Sequence, residues 1–368
     1  MSTTDVAVET KANPGGASAP AARSGSRPGS QRPYIVSPLY DWSFFIASPL
    51  LALGLGLLLG DTPFTENSYL FNFEKSLVDF AIGSFIFAHL IIVIFRSHLN
   101  PKIFRLHPAR FTLVPLLLFA AMMSSNWVLI SCSVLATFWD VYHSGMQTFG
   151  LGRIYDARAG NQPTAGRKLD WILNLYLYAG PIAAGATLMD HVEDFHEFSE
   201  VGAVFFTAIP AYTASNAQVI SLLVIGTGIP FLGFYLFAYW RLWRQGYRVS
   251  PQKVALLLST AACSIYAWGF NPFGMAFFIM NFFHALQYFA IVWWAEKGNM
   301  ARILGCEGRS WGKPLAMILL LSVGFGYGVF VEAADGHSAD WLFGAFLVVS
   351  LMHFWYDSFI WSVARKQV

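Results

Sequence analysis

Runs of roughly 20 apolar residues recur from Tyr40 to the C-terminus, and this repetition constrains the chain more than any other feature. At 1.5 Å per helical residue, a run of that length matches the hydrocarbon core of a bilayer. Only 12% of the 368 residues are charged, against about a quarter in a soluble globular domain. The expected fold class is therefore all-α, a polytopic integral membrane helix bundle. A net charge of +2 with no basic patch interleaved with aromatics gives no reason to expect a nucleic acid partner. Cys132 and Cys263 lie in apolar segments and Cys306 in a loop, with no CxxC pair, so disulfides and thiolate metal sites are not expected.

Residues 1–33 are rich in Pro, Gly, Ser and Ala. Such a segment buries too little apolar surface to fold, and a disordered cytoplasmic tail is expected ahead of a transmembrane domain at 34–368. No apolar stretch precedes Tyr40, so the tail does not read as a signal peptide. Ten spans follow, at about 41–60, 77–95, 111–124, 127–150, 168–189, 217–240, 253–270, 274–296, 314–332 and 341–363. Residues 111–150 are too long for one crossing, and Ser124-Ser125-Asn126 is the expected break. Basic residues cluster in the tail, in 96–110, 153–168, 241–253 and 297–313, and at Arg365 and Lys366. The intervening loops hold almost none, Lys75 excepted. By the positive-inside rule both termini are cytoplasmic, and the expected location is the inner (plasma) membrane.

Polar residues inside such spans are costly and so informative. Four histidines fall within even-numbered spans: His89, His143, His284 and His353. They precede the next basic residue by 7, 10, 13 and 12 positions, roughly 10 to 20 Å of helix, a spread that tilts near 20° can largely absorb. Convergence on one site is expected. Asp140 precedes His143 by three and Asp357 follows His353 by four, so each carboxylate shares a helix face with its histidine. Gln147 and Gln287 add polar groups on the same faces. Such carboxylates commonly orient a metal-bound imidazole, while thiolate-free imidazole ligation suits iron, zinc or copper. A histidine in a span also serves as interhelical hydrogen-bond glue. His98 and His107 sit in a basic loop, and His191 and His196 lie among Glu193, Asp194 and Glu197, a pattern that reads as a solvated acidic loop. The aromatic runs around His284 and His353 read mainly as lipid-facing and packing residues, with some able to line a slot for a long hydrophobic ligand.

The segments "FAHLIIVIF", "YHSGMQTF", "MNFFHALQYFAIVWW" and "SLMHFWYDSFIW" follow one another in an order that resembles the bacteriorhodopsin-related-protein-like family of membrane beta-carotene 15,15'-dioxygenases. In that family, single histidine motifs on separate membrane helices are associated with one non-haem iron. Tyr288 stands where those proteins have their second histidine, four after His284. The resemblance implies an Fe(II)-dependent oxygenase for a lipophilic substrate such as a carotenoid, an isoprenoid or another lipid. His89, His143, His284 and His353 would then hold the metal, with O2 as co-substrate and the bilayer as the route of entry. Asp140 and Asp357 would orient ligands, relay protons or ligate the metal themselves. The clustered HxxxH and HxxHH boxes of the diiron desaturases are absent.

Two other classes compete. His/Asp pairs at mid-membrane also serve proton-coupled transporters, and "YAGPIAAG" and "GTGIPFLG" would suit broken helices. Alternatively, facing histidines ligate haem, or the chain is a structural subunit in a complex with other membrane proteins.

Overall fold

A computed structural model describes residues 33–59, 67–70, 73–185, 208, 211–213, 215–271, 273–334 and 340–361. The expected tail up to residue 32, the cluster around His191 and His196, His337, and Arg365 and Lys366 lie outside the described residues.

The chain enters through a short α1 (Pro38–Asp41), a π-helical turn (Trp42–Ile46) and α2 (Ser48–Leu59). The two halves of this first apolar run meet at 53°, with Pro49 just inside α2, where its missing N–H costs least. The Asp41 carboxylate fixes the entry. It accepts from the backbone N–H groups of Ile35, Val36 and Ser37 and from the Tyr155 hydroxyl at 2.6–3.3 Å. A two-stranded antiparallel hairpin, β1 (Asn67–Leu70) and β2 (Phe73–Ser76), follows. It is a small addition to the all-helical expectation.

The remaining helices are α3 (Leu77–Ile91), α4 (Ile94–Ser97), α5 (Pro101–Leu106), α6 (Pro108–Ser124), α7 (Asn126–Arg158), α8 (Arg167–Gly185), α9 (Ala217–Arg244), α10 (Pro251–Phe270), α11 (Phe273–Ile303), α12 (Gly312–Ala334) and α13 (Asp340–Ile360). The break between α6 and α7 falls at Ser125, whose backbone is extended (φ −159°, ψ 119°). Asn100 caps α5, its side chain accepting from Lys102 and Ile103 N–H, an ordinary N-cap arrangement. α7 runs eight residues past the expected end at 150, stopping just before Gly160, which supplies the left-handed conformation (φ 87°) of a helix C-terminus. Arg153 is therefore a helical residue, not a loop residue.

Helices occupy all ten expected segments, but they are not equivalent. Six, with α3 and α4 taken as one, are long and apolar enough to cross a membrane, and the bent α1–α2 pair makes a seventh. The chain is thus a multi-pass membrane protein. α6 is short at 17 residues. α7 carries Asp140, His143, Gln147, Arg153 and Asp156, and α8 carries Arg167, Lys168, Asp170 and Asn174, which lowers their hydropathy below that of the other helices.

α11 is the central helix, with 78% of its apolar window buried, whereas α9 is peripheral at 6%. α3 and α12 pack closely because Gly324 and Gly328 present no side chain there. A Cβ on Gly328 would collide with the Ser84 carbonyl of α3, and one on Gly324 would meet Ile92 and Phe289. Small residues four apart are a common device for close approach of membrane helices. This packing fixes α3, and with it His89, against the centre.

Candidate metal centre

Four helices each contribute one imidazole to the same point. His89 comes from α3, His143 from α7, His284 from α11 and His353 from α13. All four are buried, with at most 4% of their surface exposed. The rings form a closed cycle. Ring centres are 5.0 Å apart for His89–His284, 4.9 Å for His284–His143, 4.8 Å for His143–His353 and 5.0 Å for His353–His89.

Backbone carbonyls set the tautomers of two rings. His353 Nδ1 lies 3.1 Å from the Leu90 carbonyl and His89 Nδ1 bonds the Ile86 carbonyl. A carbonyl only accepts, so both Nδ1 atoms carry the proton and both Nε2 atoms present a lone pair. His89 Nε2 and both nitrogens of His284 have no hydrogen-bond partner although buried, a costly state for polar atoms. His143 Nε2 stands 3.1 Å from His353 Nε2. With a lone pair on the latter, that approach is stable only with a shared proton or a shared cation.

The geometry fits an ion. With a metal–nitrogen bond of about 2.1 Å and about 1.2 Å more to the ring centre, neighbouring rings stand about 4.7 Å apart in a square array and about 5.4 Å in a tetrahedral one. The observed 4.8–5.0 Å lies between. His89, His284 and His353 form one group with ligand atoms within 4.8 Å of each other, and His143, His353 and Asp357 form a second.

The two carboxylates expected beside the histidines part company. Asp357 Oδ2 lies 3.7 Å from His143 Nε2 and 3.9 Å from His353 Nε2. Its Oδ1 accepts from the Tyr288 hydroxyl and from Trp361 Nε1, both at 2.9 Å. Asp140 instead lies beside the Asn281 side chain of α11, whose Nδ2 donates to the Phe277 carbonyl at 3.1 Å, and belongs to neither ligand group. Helices α7 and α11 thus meet in parallel through three polar pairs: Asp140 with Asn281, His143 with His284, and Gln147 with Gln287 at 2.9 Å. Gln147 also donates to the His284 carbonyl at 3.0 Å, while Gln287 donates to the Phe45 carbonyl at 2.9 Å, tying α11 to the π-helical turn.

His98 and His107 do not join the ring. His98 lies between Ser97 Oγ at 2.8 Å and the Phe111 carbonyl at 3.0 Å, and His107 packs edge-on against Phe359. Tyr288 and Trp361, which both bond Asp357 Oδ1, carry no signal of that role in the sequence, where Tyr288 only stands in place of a motif histidine. A tryptophan at a helix end reads as an interfacial residue, and nothing in the pattern marks it as a hydrogen-bond donor to Asp357.

Beyond the ring, Arg96 bonds Glu296 at 2.7 Å, stacks over Trp361 at 4.6 Å and donates to the Ile360 carbonyl at 3.3 Å. Asn100 also donates to Glu296. A second buried network is separate from the ring. Arg153 and Lys253 each bond both Asp156 and Asp170 at 2.6–2.9 Å. Tyr235 and Tyr239 donate to Asp170, and Tyr247 donates to Asp156. Two cations offset two carboxylates, which is what makes their burial tolerable. Burial raises the Tyr247 phenol above its ordinary pKa, and the Asp156 hydrogen bond adds to the rise, so Tyr247 remains a donor.

An apolar groove of about 210 Å³ lies between α7 and α8, lined by Phe138, Val141, Tyr142, Gly145, Tyr178 and Ile182 among others. These α7 residues occupy the face opposite Asp140, His143 and Gln147 at 100° per residue, so the groove does not open onto the histidines. No protein-family model, no curated protein and no solved structure matches the chain.

Proposed function

We propose that the chain is a membrane-embedded non-haem iron oxygenase acting on a lipophilic substrate. The observation that carries this reading is the closed ring of four imidazoles from four helices, with unpartnered buried nitrogens on His89 and His284 and no thiolate in either ligand group. His89, His143, His284 and His353 would hold Fe(II), which neutral imidazoles suit. Iron bound there would supply O2 activation for oxidative attack on a carotenoid, isoprenoid or other lipid. The chain's part is to fix the imidazoles: the Leu90 and Ile86 carbonyls hold two Nδ1 protons, and Gly328 holds α3 in place. All ten helical segments cross the membrane in this proposal, with both termini on the cytoplasmic side of the inner (plasma) membrane. Trp361, Arg96 and Glu296 lie toward that side of the ring.

A haem reading would use the same histidines as axial ligands, and the optical spectrum separates it from non-haem iron. A proton-relay transporter would use the same residues without a metal, so metal content separates the two. Purified protein should carry about one iron per chain and show no Soret band. His143→Ala, His284→Ala and His353→Ala should each abolish metal binding, while His191→Ala and His337→Ala retain it. Protein purified without chelators that holds no transition metal would defeat the oxygenase reading.

A further inference from the structure

Asp357 is placed unlike a carboxylate that merely orients an imidazole. Such a group takes the N–H of the ring nitrogen facing away from the metal. In His353 that nitrogen is already bonded to the Leu90 carbonyl, and Asp357 Oδ2 faces the inward Nε2 atoms of His353 and His143. Two ligand atoms each about 2.1 Å from one ion stand about 3.0 Å apart at a right angle and about 4.0 Å apart near 145°. The three separations among His143 Nε2, His353 Nε2 and Asp357 Oδ2 are 3.1, 3.7 and 3.9 Å. All three fit one coordination sphere.

Resting on the reading of the histidine ring as a metal centre, we propose that Asp357 Oδ2 is a fifth metal ligand and that Tyr288 and Trp361 are its positioning residues. Tyr288 and Trp361 both donate to Oδ1, which keeps that oxygen from the ion and makes the carboxylate bind through one atom. The Tyr288 ring also packs edge-on against His353, with centres 4.5 Å apart, so one residue braces both ligands.

The test uses the full chain in detergent, stripped of metal and reloaded with Co(II) alone, whose d–d bands intensify as coordination number falls. Wild-type protein should show the weak bands of a five- or six-coordinate ion. Asp357→Asn is close in size, keeps an oxygen for Tyr288 and Trp361, and turns an amide toward the ion. It should bind Co(II) at least about 100-fold more weakly, with intensified bands. Tyr288→Phe and Trp361→Phe should each cost about 10-fold in affinity and alter the band envelope, which a purely structural role would leave alone. Wild-type spectrum and affinity in Asp357→Asn, with binding abolished in His143→Ala, would overturn the fifth-ligand assignment and spare the metal centre. Absence of Co(II) binding in every form, wild type included, would overturn both.

Discussion

Gly328→Ala tests whether close packing of α3 on α12 sets the metal centre. The added methyl would sit on the Ser84 carbonyl, 2.8 Å from its carbon and 3.0 Å from the Ala88 amide nitrogen. Carbon atoms in favourable contact are about 3.5–4.0 Å apart, so α3 must retreat by about 1 Å. Every atom in the way is backbone, and no rotamer change relieves it. Overpacking of this kind costs about 1–3 kcal/mol, and the upper half of that range applies because both partners are rigid helices. His89 follows Ala88 directly, and metal–ligand distances tolerate only about 0.2 Å, so a 1 Å displacement removes one ligand from the ring. Gly326→Ala is the internal control: it lies on the same helix, is exposed, and has nothing within 4 Å of its would-be Cβ. It should be neutral or stabilising by up to about 1 kcal/mol through helix propensity. Thermal unfolding in detergent and metal per folded chain, measured on both variants, decide the matter. Wild-type melting and metal content in Gly328→Ala would refute the claim that α12 holds His89 in place.

Lys253→Met leaves two buried carboxylates facing Arg153 alone, and breaking such a buried network costs about 3–5 kcal/mol. The double variant Lys253→Met/Asp156→Asn restores neutrality and should recover most of the loss in a thermal melt; a double variant less stable than the single one would contradict the charge-balance argument. Asp140→Asn should lower stability by about 1–2 kcal/mol and leave metal per folded chain unchanged, because Asp140 lies beside Asn281 outside the ring. Metal lost at full stability would return Asp140 to the centre.

The convergence of the four histidines was legible because an imidazole in an apolar helix is conspicuous, and all four lie at overlapping depth. The carboxylates were harder to place. Asp140 at three before His143 and Asp357 at four after His353 look equivalent on a helix surface. What separates them is the offset between helices. Asp140 lies one turn before the ring, where α11 presents Asn281. Asp357 lies one turn after it, where α11 presents Tyr288. That register is set by tertiary packing, which no single helix encodes. Counting residues to the nearest basic side chain misled for a related reason. The count treats Arg96 and Arg153 as marks of the membrane surface, yet both are buried against Glu296, Asp156 and Asp170. The counts of 7 and 10 therefore measure distances to buried ion pairs and not to the membrane surface. His89 and His284 share one ring despite counts of 7 and 13. The first count ends at Arg96, buried in a salt bridge to Glu296, and the second at Lys297, the residue after Glu296.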